Sequence, residues 1–267
     1  MSVFHLTFFL TVCQMFVFSF PLTPQFLCYN LPMDTKDNIR DYINSFIERF
    51  AKPSRIPFQK RVLKTNLRCA GISIPEIRRL SAELLKKFDD DDILSSLDLS
   101  SMDEQCVFLF IAERSCLERF TDLLDFLLDY ADSWAIPDSA EFSYFIKEPQ
   151  SCVKFCNFFL SQKNPLKRRL AFVFMIKYLT FEYSGYVVNK IKQFGTSEDY
   201  ILQMAIAWTI QVLYLEKNEA VLDLMNDDKI CPTIKRMAIQ KLIDSHRVSE
   251  EDKEYFRSLR SSLKNKK

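Results

Sequence analysis

Arg169-Leu170-Ala171-Phe172 recurs as Gln203-Met204-Ala205-Ile206 and again as Arg236-Met237-Ala238-Ile239. Each copy is a long polar residue, an apolar one, an alanine and a second apolar one. The alanines step by 34 and then 33 residues. One small residue per unit lets neighbouring helices approach closely when the units stack. Carried back at the same interval, the frame reaches Asp138 and then Cys106, each early in a further amphipathic segment. A repeat of about 33–47 residues in an all-helical chain is the period of HEAT and armadillo units. The expected fold is therefore all-α: an α-α superhelix, or α-solenoid, of HEAT-like repeats.

Composition agrees and removes several chemistries. The chain of 267 residues is 48% hydrophobic but holds only 3 glycines. Tight hairpins and phosphate-cradling loops need glycine for positive φ and close backbone approach. Gly71, Gly185 and Gly195 cannot compose a dinucleotide fingerprint or a P-loop. With 2 histidines, His5 and His246, a His-based zinc centre or a His-driven triad lacks parts. The 8 cysteines include no Cys-x-x-Cys, and Cys152 and Cys156 share a helical face as reduced core thiols. No metal and no cofactor is expected. A net charge of +1 gives no global attraction to nucleic acid, so such affinity has to come from one basic face.

Along the chain, residues 1–32 stand apart. Val3 to Phe20 is almost wholly apolar, and the first charged residue is Asp34. Three readings stay open: a signal without a basic n-region, an anchor interrupted by Gln14, or an upstream extension of a protein starting at Met33. Membrane attachment is expected only if this stretch is a real anchor. The thiols and the lack of Asn-x-Ser/Thr favour an intracellular location, cytoplasm or nucleus. Residues 34–263 form the repeat domain, expected to be a monomer. Within it, Lys52–Arg68 carries six basic residues with Pro53 and Pro57, and reads either as a solvated linker or as a phosphate-facing segment. Ser73, Pro75 and Glu76 open a helix, and Asp89–Asp92 is a charged loop or a cap.

The chemistry-bearing residues gather in three consecutive repeats. Ser133-Trp134-Ala135-Ile136-Pro137-Asp138 places a carboxylate one helical turn after a tryptophan, with Pro137 marking a helix start between them. Arg168-Arg169 open the next helix, and Trp208 lies in the one after. On the inner face of a solenoid these would form an acidic centre walled by two indoles beside a guanidinium. Duller readings stay open: both tryptophans as core, Asp138 as a cap, Arg169 paired with a carboxylate of a neighbouring repeat. A carboxylate turned outward, or sealed under packed side chains by a salt link, would remove the functional reading.

The sequence resembles the DNA alkylation repair family, AlkD-like DNA glycosylases of HEAT-like repeats. The resemblance is carried by Gly71-Ile72-Ser73-Ile74-Pro75-Glu76-Ile77-Arg78, by residues 133–138, by Arg168-Arg169-Leu170-Ala171, by Met204-Ala205-Ile206-Ala207-Trp208 and by residues 238–248. It implies a base-excision-repair glycosylase that releases N3- or N7-alkylated purines from double-stranded DNA, without a metal. It further implies that Asp138 is the catalytic carboxylate and that Trp134 and Trp208 pack on the deoxyribose. Arg169, with Arg168 beside it, would contact the DNA, and the base would not be swung into a pocket. The alternative is a HEAT-repeat module that binds DNA or a protein partner without catalysis.

Overall fold

A computed structural model of the chain describes residues 33–264, Asn218 excepted, so the apolar stretch 1–32 lies outside the described residues. Those described form helices, turns and one isolated β-bridge between Arg68 and Ser101. Helices α3 (Ile74–Leu84), α5 (Met102–Ala112), α10 (Pro165–Tyr178), α12 (Tyr200–Leu215) and α14 (Pro232–Asp244) form one row. A short helix, α7 (Ala135–Ser139), is inserted between α5 and α10. A second row backs the first. In it, α4 (Asp90–Ser96) and α6 (Leu117–Tyr130) pack on α5, α9 (Pro149–Ser161) on α10, and α15 (Glu250–Lys264) on α14. α11 (Ser184–Phe194) and α13 (Ala220–Asn226) pack on α12, while α1 (Met33–Phe50) covers α3 and α4. This is the two-layered α-solenoid that the spacing predicts.

Ala171, Ala205 and Ala238 are fully buried on the successive helices α10, α12 and α14. A larger side chain there would hold those helices apart. The backward extension of the frame fares differently. Cys106 sits on α5, where every residue from Met102 to Ala112 is buried. At Asp138, however, the repeat offers the five-residue α7 instead of a long amphipathic helix. Pro137 is tolerated within its first turn, and the backbone turns extended at Ala140 (ψ 132). Tertiary packing draws the chain away. Phe142 stacks on Phe120 at 4.2 Å, and Phe145 meets Phe155 and Phe174 at 5.2 and 5.7 Å. Such aromatic pairs are worth about 0.5–1.5 kcal/mol each beyond area burial.

The basic stretch Lys52–Arg68 is not a linker. It forms a 3₁₀ turn at Pro53–Arg55 and helix α2 (Ile56–Leu63), each proline sitting in a first turn where its missing N–H costs nothing. None of α2's residues is buried. It is pinned by hydrogen bonds instead: mid-helix Gln59 Nε2 donates to Ile72 O (3.2 Å), and Ser133 Oγ donates to Leu63 O (2.7 Å) at the C-terminal end. The Asp132 carboxylate takes Thr65 Oγ1 (2.6 Å) and the Asn66 N–H (2.7 Å). This basic helix therefore lies beside the loop that leads into Trp134.

Ser73 opens α3 in a capping box with Glu76, and Asp89 precedes α4 as its N-cap. Cys152 and Cys156 lie on α9 with sulfurs 4.0 Å apart, both buried. Burial pushes the Cys106 thiol up to about 12, which suits inert core sulfur rather than a reactive site. Among the described residues no cluster suits a metal ion, and no helix is long and apolar enough to cross a membrane.

Gly71 supplies a stability test. Its φ of +78° is left-handed, and an added Cβ would lie 2.2 Å from the Lys52 carbonyl oxygen. Gly71→Ala is expected to cost about 3 kcal/mol, combining backbone strain with that overlap. Urea unfolding measures it. A cost below about 1 kcal/mol would show that the Lys52 segment yields freely.

Candidate active site

Trp134 is the residue before α7, and the Asp138 N–H donates to its carbonyl (3.1 Å). The indole and the carboxylate are thus one turn apart, as the spacing predicts. Buried Ser133 fixes the entry, its Oγ donating to Leu63 O and accepting the Ala135 N–H (3.2 Å).

From α10, Arg169 meets Asp138 in a bidentate pair: Nε to Oδ1 at 2.7 Å and Nη2 to Oδ2 at 2.7 Å. Its remaining nitrogen, Nη1, donates to Ile201 O (2.9 Å) in the first turn of α12. The guanidinium carbon also lies 5.9 Å from the Trp134 ring centre. The side chains of Arg169 and Asp138 keep 8% and 16% of their exposure. A fork this well matched to a carboxylate fixes the plane of both groups. Each carboxylate oxygen still has a second lone pair.

Of the two readings of Arg169, the pairing with a carboxylate of a neighbouring repeat is the one seen in the protein without DNA. The salt link is present, but it does not seal the carboxylate, whose side chain keeps 16% of its exposure. Trp208 is half-buried on α12, seven residues after Ile201 and so on the same face about 10 Å further along. No hydrogen bond or ring contact joins Trp208 to the pair among the described residues. Arg168 is not brought to the site either. Its Nε donates to Gln162 O (2.6 Å), and its guanidinium lies over Phe194 at 5.5 Å.

Two lysines that the sequence patterns did not single out stand near the pair. Lys177, two turns after Arg169 on α10, donates through Nζ to Asp138 O (3.0 Å) and to Ala140 O (2.7 Å). Burial holds its amine below the usual lysine value, against the opposing pull of Glu141, Asp138 and Glu113. Lys241 on α14 is also half-buried. Burial and the Arg169 charge both lower it, while Asp138 and Asp244 act in the other direction. Asp138 therefore acts electrostatically on both lysines as well as pairing with Arg169. Two cavities of about 640 and 430 Å³ lie elsewhere, between α1 and α3 and between α1, α2 and the start of α5. Asp138 lines neither, so neither is a receptacle for a base beside it.

The scaffold is a stacked helical-repeat solenoid that presents a largely buried acid–arginine pair beside an indole, next to a basic helix. The chain's place among such solenoids is given by comparison: residues 43–242 match the family model described as DNA alkylation repair enzyme, and the chain belongs to that family. Its role is in the repair of alkylation damage to DNA. A solved structure described as a predicted DNA alkylation repair enzyme from Enterococcus faecalis has the same fold. The two superpose with a TM-score of 0.55 at 17% identity, over 73% of this chain and 98% of that one. No curated protein matches significantly.

Proposed function

We propose that the protein is a DNA glycosylase that hydrolyses the N-glycosidic bond of N3- or N7-alkylated purines in duplex DNA, with Asp138 as the catalytic carboxylate. An alkylated purine is cationic and leaves without much help from an acid. The barrier lies in the positive charge that develops on the deoxyribose as the bond breaks. A preorganised carboxylate at that point stabilises the charge, and its free lone pairs can orient the attacking water. Trp134 and Trp208 present aromatic faces to the sugar. Arg169 positions Asp138 through the bidentate fork. The observation that carries this reading is that fork, which holds a single, still partly exposed carboxylate beside Trp134.

The exposed cations of α2 supply the backbone-binding face that the low net charge demands. Lys60 and Arg61 are solvent-exposed and make no ion pair among the described residues. Lys60→Ala combined with Arg61→Ala is expected to weaken duplex binding across all sequences. It should also reduce the slope of log K against log salt by about 2. A slope identical to that of the wild type would take α2 off the DNA.

The fork also favours a second reading. A guanidinium that neutralises Asp138 suits a repeat module that binds damaged DNA without cutting the bond. Release of 7-methylguanine from methylated duplex by the purified full chain separates the two. Release above the spontaneous rate supports the glycosylase. Tight binding with no release leaves the binding module.

A further inference from the structure

Asp138 sits on a helix of five residues, too short to hold its own direction. What holds it comes from outside. Glu113, at the C-terminal end of α5, accepts the Glu141 N–H through Oε1 (2.9 Å) and Arg78 Nη1 through Oε2 (3.0 Å). The Tyr178 hydroxyl accepts the Phe142 N–H (2.9 Å). Among the described residues, Lys177 is the one side chain seen to reach the backbone of Asp138 itself, bridging it to Ala140. Carbonyls at the end of a helix have no intrahelical partner, and an ammonium is favoured there by charge as well as by hydrogen bonding. Arg169 and Lys177 thus stand two turns apart on the same rigid helix, one on the carboxylate and the other on its main chain.

We propose that Lys177 is a positioning residue for Asp138, using α10 as the ruler that sets where the carboxylate meets the sugar. Arg169 fixes the plane of the acid, and Lys177 fixes the height of the short helix that carries it. This rests on the glycosylase reading above, since the position matters only if Asp138 acts on substrate.

Three measurements test it on the full chain. First, in Lys177→Met the single-turnover rate of 7-methylguanine release should fall by about 10- to 100-fold, while the Kd for methylated duplex stays within about twofold. Lys177→Arg, which keeps charge and donors, should recover part of the rate. Second, placed in an Asp138→Asn background, Lys177→Met should cause no further loss, because both changes remove the same interaction. Additive losses would overturn the proposal, since Lys177 would then act elsewhere or only through stability. Third, amide exchange of residues 135–142 in the free Lys177→Met protein should accelerate while α12 and α14 keep their protection. Unchanged exchange overturns the positioning role whatever the activity. If the wild type releases no base but exchange behaves as expected, it is the glycosylase reading that fails and the anchor that stands.

Discussion

Asp138→Asn is expected to lower the rate of alkylated-base release by on the order of 10²–10³-fold or more, with duplex affinity almost unchanged. The substitution keeps size and one acceptor but removes the charge that opposes the developing cation. It also leaves the Arg169 guanidinium, only 8% exposed, without a counter-ion. Removing one partner of such a pair costs about 3 kcal/mol or more, a fall in Tm of about 6–12 °C for a chain of this size. Activity lost through unfolding could therefore pass for activity lost through chemistry. The double variant Asp138→Asn with Arg169→Gln separates the two. With both charges gone, much of the stability should return while release stays at background. Release recovering together with Tm would remove Asp138 from the chemistry.

Arg169→Met is the second large effect. The methionine keeps much of the stem's packing but withdraws three hydrogen bonds: two to the carboxylate and one to Ile201 O. The freed carboxylate can turn toward solvent, so release is expected to fall about 10- to 100-fold through lost orientation. Stability should fall by about 3 kcal/mol. With the guanidinium held on Asp138 in the complex as well, the slope of DNA affinity against salt should not change. A slope reduced by about 1 would mean that Arg169 swings out to the DNA backbone. That outcome would break the fork in the bound state and require another group to hold the acid. Filter binding at several salt concentrations, run beside thermal unfolding, reads both quantities.

The two variants probe features that differ in how far they can be read from the chain. Repeat stacking was visible at 171, 205 and 238, because a helix contact needs a small side chain at a regular interval and the interval survives in the sequence. The relation of Trp134 to Asp138 was visible too, being local: residues four apart share a face once a helix forms. The scarcity of glycine by itself argues against tight hairpins and phosphate-cradling loops. For Lys52–Arg68 the sequence leaves open a solvated linker or a phosphate-facing segment, because two prolines among six basic residues do not show whether the chain is helical. Both occupy first turns, and the segment is held by Asp132 and Ser133, some 70 residues later.

Other features depended on how the helices lie against each other. Several carboxylates were available to Arg169, and the choice of Asp138 follows from α10 packing on α7. The shortness of α7 is set by Phe142 and Phe145 entering an aromatic cluster drawn from α6, α9 and α10. Lys177 left no pattern beyond its two-turn spacing from Arg169, since it binds main-chain carbonyls that every residue possesses. Periodicity records what a helix needs from its own turns. A pair formed across 31 residues, or a lysine reaching a carbonyl 39 residues away, exists only once stacking has brought the groups within hydrogen-bond range.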